Sequence, residues 1–332
     1  MSRVTRLRIA VPATALLLAL AACANGQEAA APTAAPRIST AYELPDAQAY
    51  PEGIAVDSRN GDVYVGSFTN GAIYRAAEGN SKAEIFLPAG ADGRRTANGL
   101  RVDTAGRLWV IDHTRGVTVY DTGTRARLAS FELPAGQPFV NDLTITPDGS
   151  VYLTDSVAPI VYRVTAAELT DAMAHGGKGE LRTFSDLGSA KDPAAQSPIL
   201  LNGIVSDPAG RYLLTVDMST GTLYRITLDT DRTVGKVTRH GGTMINGDGL
   251  EMRDDTLWVV QNKDNTVSRW QISDNGMTAT QQQHITDAAL AVPTTIAHTG
   301  DRALVVISQF DRGGPMGAGT PAPFTVAAID GI

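Results

Sequence analysis

A strand-turn-strand segment recurs six times along this chain, and that recurrence limits the fold more than any other feature. The segments are GIAVDSRNGDVYV (53–65), GLRVDTAGRLWV (99–110), DLTITPDGSVYL (142–153), GIVSDPAGRYLL (203–214), GLEMRDDTLWV (249–259) and TIAHTGDRALVV (295–306). The residues just before them are Glu52, Asn98, Asn141, Asn202, Asp248 and Thr294, spaced by 46, 43, 61, 46 and 46 residues. Four strands joined by short turns need about 40–45 residues, the period of a propeller blade. Third strands follow at AIYRA (72–76), VTVYD (117–121), IVYRV (160–164) and TLYRI (222–226). Fourth strands follow at AEIFLP (83–88), RLASFELP (127–134) and ELRTFSDL (180–187). The chain therefore reads as all-β, a six-bladed β-propeller with four-stranded blades over residues 37–332.

The two ends of that span complete each other. The last repeat offers only three clear strands, ending at FTVAAID (324–330), while ISTAYELP (38–45) stands unassigned at the start. Its Glu43-Leu44-Pro45 ending repeats Glu132-Leu133-Pro134, which closes an earlier blade. An N-terminal strand is thus expected to close the ring and leave no open seam. The long third interval holds an insertion. Within it, Thr165 followed by Glu168 predicts a capped helix of one or two turns, and KDPAAQSP (191–198) reads as loop.

Arg3, Arg6 and Arg8 precede an apolar run over 10–20 and then Leu20-Ala21-Ala22-Cys23. This resembles a bacterial lipoprotein signal. Residues 1–22 would be the signal peptide, Cys23 the lipidated residue and 23–36 a flexible tether. The protein would be exported, held to the cell envelope by its lipid alone. An ordinary secretory signal with a chance cysteine is the competing reading. Cys23 is the only cysteine, so no intramolecular disulfide or zinc-thiolate site can form. The formal charge is −7 with no basic stripe, which argues against a nucleic-acid partner. A monomer is expected.

In a propeller the innermost strands line a channel, so the six residues preceding them converge at one mouth. Glu52 and Asp248 together match a divalent cation in charge, and Asn141 and Asn202 add neutral oxygens. That donor set suits calcium, or another divalent ion, with Glu52, Asn141, Asn202 and Asp248 as ligands. Thr294 would matter less. The competing reading makes Asn98-Gly99, Asn202-Gly203 and Asp248-Gly249 ordinary turn dipeptides. Asp142 is read as a strand-start residue, or else a carboxylate supporting the ring. Asp112, Asp155 and Asp217 recur at second-strand ends and suit hydrogen bonding there. His113 is open to a catalytic or a loop role; His298 reads as structural. No G-x-S-x-G elbow occurs, which excludes an α/β-hydrolase.

The segments Pro51-Glu52-Gly53, Val140-Asn141-Asp142, Leu201-Asn202-Gly203 and Gly247-Asp248-Gly249-Leu250 resemble the SMP-30/gluconolactonase superfamily of six-bladed propellers. The resemblance implies that Glu52, Asn202 and Asp248 bind a divalent cation and that Asn141 sits at the metal or the substrate. It implies hydrolysis of lactones or phosphotriesters; paraoxonases and strictosidine synthases share the architecture. Sugar lactonases of this kind tend to place an arginine two residues before the third-blade asparagine. Here Phe139 stands there, implying either a more apolar substrate or a packed wall. Asp248, as general base or nucleophile, and Asn141 are the catalytic candidates, although cation ligation weakens Asp248 as a base. Asn141, Asn98 and Phe139 are the candidates for substrate contact. The expected function is a calcium-dependent hydrolase of lactones or related esters, acting on a small molecule. The alternative is a non-catalytic propeller that binds a ligand or protein around a structural calcium.

Overall fold

Six sheets, built on antiparallel strands, stand around a channel in the computed structural model, which describes Met1 and residues 36–191 and 198–332. The innermost strands are Pro51–Val56, Leu100–Val102, Val140–Ile145, Leu201–Ser206, Gly247–Arg253 and Pro293–Thr299. Each touches the next, and the last touches the first, so the ring is closed. The strands form where Val, Ile, Tyr and Thr alternate, residues that fit a pleated, half-buried surface. They stop at turns such as Asn60-Gly61, where Gly61 has φ 77°, a left-handed conformation that glycine takes without a Cβ clash.

The core is divided as a ring requires. Six apolar clusters occur, one between each pair of neighbouring blades. Trp109, Phe131 and Leu153, for example, fill the space between blades two and three, and Trp270, Leu214 and Val259 that between blades four and five. Both faces of every blade are therefore buried, and burial is the main term holding the ring.

The closure expected from the sequence is present. Arg37–Glu43 pairs antiparallel with Thr325–Asp330, Ile38 opposite Ile329, and Leu44 N donates to Phe324 O at 2.9 Å. Tyr42 and Leu44 drop into the cluster between blades six and one.

The insertion also folds as expected in part. The helix Ala166–Ala174 carries a complete capping box between Thr165 and Glu168 and buries Leu169 and Ala172. Four strands per blade is too few for two blades, however. Lys178–Glu180 adds a parallel fifth strand to blade two, not to blade three, whose fourth strand starts only at Arg182. Thr238–His240 likewise adds a parallel fifth strand to blade five. Both cover outer edges whose backbone groups would otherwise lack partners. The signal segment, Cys23 and the tether up to residue 35 lie outside the described residues, as do residues 192–197 of the inserted loop. Among the described residues no helix is long and apolar enough to cross a membrane.

Candidate active site at the channel mouth

The mouth residues owe their direction to a repeated irregularity. In five blades the pairing of the first two strands slips across two residues: Glu52-Gly53, Asn141-Asp142, Asn202-Gly203, Asp248-Gly249 and Thr294-Thr295. A bulge of this kind re-aims side chains. The glycines are not turn residues. None of Gly53, Gly99, Gly203 and Gly249 has a positive φ. They are needed because the next blade passes close by: a Cβ on Gly53 would lie 1.9 Å from Asn98 O, and one on Gly203 2.3 Å from Asp248 O. The turn-dipeptide reading therefore fails, and the mouth positions lie where neighbouring inner strands come closest.

A second set of residues, not singled out by the sequence, completes the site. Each directly follows a second strand: Phe68, His113, Ser156, Met218, Asn262 and Ser308. In four blades this residue holds the mouth residue of its own blade, and in blade six it lies beside it. Ser156 Oγ accepts from Asn141 Nδ2 at 2.9 Å, and Asn262 Nδ2 donates to Asp248 Oδ2 at 2.7 Å. Met218 Sδ receives Asn202 Nδ2 at 3.6 Å, and Ser308 Oγ lies 2.9 Å from Thr294 Oγ1. His113 Nδ1 lies 3.2 Å from Asn98 Oδ1, which also accepts from Thr96 Oγ1 at 2.9 Å. The signal for this set was available: a residue fourteen to sixteen positions after each mouth residue, just past a second apolar strand.

Blade one is the exception. Phe68 cannot donate, and among the described residues no hydrogen bond reaches the buried Glu52 carboxylate. Burial, then the charges of Asp248 and Asp142, push the Glu52 carboxyl well above the usual range, with Arg101 opposing. Burial also raises Asp248 to about 7, against the hydrogen bond from Asn262 and with Asp142 adding to the rise. Asp142 is raised by burial too, offset by Arg101, whose Nη2 lies 3.7 Å from its Oδ2. Asp142 is therefore more than a strand-start residue; it is the third acid of the cluster.

The amides differ in what they leave free. Both hydrogens of Asn141 Nδ2 are used, by Ser156 Oγ and by Asn202 Oδ1 at 3.0 Å, while its Oδ1 is buried with no partner. Asn98 is the reverse: its oxygen is engaged and its Nδ2 is the buried orphan. Thr294 Oγ1 donates to Glu52 O at 2.7 Å and so ties blade six to blade one. Among the described residues no three His, Cys, Asp or Glu side chains gather to hold a metal by themselves. Glu52, Asp248 and the free oxygen of Asn141 could hold a cation together, with Asn202, whose oxygen already accepts from Asn141, beside them.

The remaining sequence candidates fall around this centre. Phe139 is half-buried, and its ring stacks on His113 at 4.3 Å and 15°. Burial lowers the His113 pKa, favouring neutral imidazole. Asp112, Asp155 and Asp217 accept from the backbone N–H of Arg95, Phe139 and Leu200, which fixes the approach to each mouth. At the opposite end of the channel a cavity of about 360 Å³ is lined by Arg101, Glu251 and His298. There the His298 backbone N–H and Nδ1 both bond Glu251, and the imidazole packs on Trp258, a satisfied structural pair.

Residues 51–305 match the SMP-30/gluconolactonase/LRE-like region. No curated protein matches the chain. Among solved structures, a gluconolactonase from Xanthomonas campestris superposes with a TM-score of 0.61 at 16% identity, covering 90% of each chain. A luciferin-regenerating enzyme gives 0.62 at 12%, covering 90% of this chain and 96% of the other. Regucalcin from Agrobacterium tumefaciens, described as a calcium-binding protein, gives 0.57 at 14%, covering 86% and 91%. At these identities the likeness is one of fold.

Proposed function

The chain belongs to the SMP-30/gluconolactonase/LRE-like family, and on that premise we propose that it is a calcium-dependent hydrolase of lactones or related esters. The observation that carries the reading is the Glu52 carboxylate, buried beside two further acids and without a hydrogen-bond donor. Left alone, such a cluster is costly. A hard divalent cation fits the donors present: Glu52, Asp248 and the orphaned Asn141 Oδ1, with Asn202 adjacent. The family match and the presence of a gluconolactonase and a calcium-binding regucalcin among proteins of this fold agree with the reading.

When bound, such an ion supplies Lewis-acid polarisation of a carbonyl oxygen. The chain's own groups divide the rest. Asn141 has no free N–H, so it serves through its oxygen and not as a donor to substrate. Asn98, fully buried with its oxygen held by Thr96 and His113, fixes the His113 ring at the mouth and keeps an unpartnered Nδ2 beneath the surface. Asn262, donating to Oδ2, and Asn202 beside it orient the Asp248 carboxylate that takes a proton from water. From the leader sequence we also propose that Cys23 is lipidated and that the domain works outside the cytoplasmic membrane, as a monomer.

The test is calorimetry of calcium binding together with a hydrolysis screen of lactones, esters and phosphotriesters, with and without chelator. Glu52→Gln and Asp248→Asn should each weaken calcium binding by at least about tenfold and abolish turnover. Unchanged calcium affinity in both variants would overturn the site. Calcium binding without turnover of any substrate would make the protein a ligand-binding propeller with a structural ion.

A further inference from the structure

The mouth has two parts. Acids and amides from five blades form one part of it. Beside them, four rings from consecutive blades form a continuous row: Phe310 against Phe68 at 5.3 Å, Phe68 against His113 at 5.4 Å, and His113 against Phe139 at 4.3 Å. The last three are nearly parallel, with interplanar angles of 23° and 15°. Their faces are thus occupied by one another, and the row presents ring edges and the outer face of Phe139. Phe68, His113 and Phe139 are all only half-buried, and His113 is anchored to Asn98. The wall is thereby tied to the ring of mouth residues through Asn98.

The polar neighbours are already engaged. Ser156 Oγ donates to Leu201 O at 2.7 Å, and Ser308 Oγ donates to Pro51 O. Asn262 is held between Asp248 Oδ2 and the Lys263 N–H. A substrate carrying several hydroxyl groups would set them against ring edges and committed hydrogen bonds, losing water without replacement. An alkyl or aryl group would lose only unfavourable contact with water.

We infer that the substrate of this mouth is a lactone or ester bearing an apolar alkyl or aryl substituent seated along the Phe68–His113–Phe139 wall, not a polyhydroxylated sugar lactone. The inference takes the cleaved bond from the hydrolase reading above, but the wall binds its ligand whether or not that bond is cleaved.

Neutral, uncleavable lactams separate the two. In calorimetry with the full chain, γ-pentyl-γ-butyrolactam should bind at least about tenfold more tightly than γ-butyrolactam, at about two- to fourfold per methylene seated. Gluconolactam should bind no better than γ-butyrolactam. Phe139→Ala should shrink the pentyl preference about tenfold, and Phe139→Leu should shrink it less; thermal melts check that both variants fold. Gluconolactam binding as tightly as the pentyl lactam, failure of the pentyl lactam to bind, or an unchanged preference in Phe139→Ala would each overturn the wall. The matching lactones are then assayed for turnover in calcium. A preference for gluconolactone would refute the wall and leave the hydrolase. No turnover of any lactone, with the pentyl preference intact, would refute the hydrolase and leave the wall.

Discussion

Removing the charge of Asp248 should stabilise the cation-free protein at neutral pH, although it removes a residue proposed for function. Asp248 is buried beside Glu52 and Asp142, and its carboxyl is raised to about 7. An unfolded chain returns it to about 3.9. Because the folded value lies above the unfolded one, the stability it contributes is full below about pH 4 and is lost as pH rises through 7. A displacement of about 3 pH units corresponds to roughly 4 kcal/mol. At about 2 °C per kcal/mol for a domain of this size, that is roughly 8 °C in Tm. The assay is thermal unfolding in chelator from pH 4 to 9 for wild type and Asp248→Asn. Carboxylates elsewhere, such as Asp57, held down mainly by its hydrogen bonds from Arg59, contribute equally to both proteins and cancel in the difference. The difference curve should climb in favour of the variant from about pH 4 through 7 and level off only once Glu52, which the Asp248 charge holds high, has also ionised. Saturating calcium should raise the wild-type Tm at pH 8 and leave the variant nearly unmoved. A flat difference curve would mean that Asp248 carries no uncompensated buried charge, and the electrostatic basis for the cation site would fall.

Other expectations concern the scaffold and the anchor. Deleting residues 37–44 should destabilise the domain by several kcal/mol, since it removes the closing strand at about 1 kcal/mol per hydrogen bond together with buried Tyr42 and Leu44; Arg37→Ala, at an exposed 3.8 Å pair with Asp330, should be nearly neutral in the same urea titrations. Gly203→Ala should cost about 3 kcal/mol, the upper end for overpacking, because its Cβ would meet Asp248 O, whereas Gly123→Ala should change Tm little. Thr294→Ala should leave calcium affinity within about threefold of wild type, since its hydroxyl hydrogen is spent on Glu52 O. Cys23→Ser should shift the protein from the membrane to the soluble fraction; mass spectrometry of an unmodified Cys23 in the wild type would rule the anchor out.

Much of the architecture was readable because it is written in short-range terms. A blade is a run of alternating strands and glycine turns, so its count, its period and even the strand missing from the last blade follow from local pattern. The mouth positions were readable for the same reason, as the residue before each repeated segment, although in five blades the inner strand begins one residue earlier and contains it. The fifth strands at Lys178–Glu180 and Thr238–His240 were not, because three residues carry too little pattern and their partners belong to a different blade. The turn-like dipeptides left a competing reading open for a related reason: glycine after asparagine suits a turn, and only the approach of the next blade shows that it is there for space.

What each mouth residue can do was decided in three dimensions. Glu52 and Asp248 are nearly two hundred positions apart in sequence, and their mutual charge exists only because the ring closes. Glu52 is unpartnered because Phe68 stands where other blades place Ser156 or Asn262. Asn98 and Asn141 are the same residue at equivalent positions, yet one is left a donor and the other an acceptor by the neighbours that hold them. Periodicity along one dimension determines which residues reach the axis. Hydrogen bonding and burial among residues from different blades determine which atoms remain free there, and those atoms are where a ligand can be held.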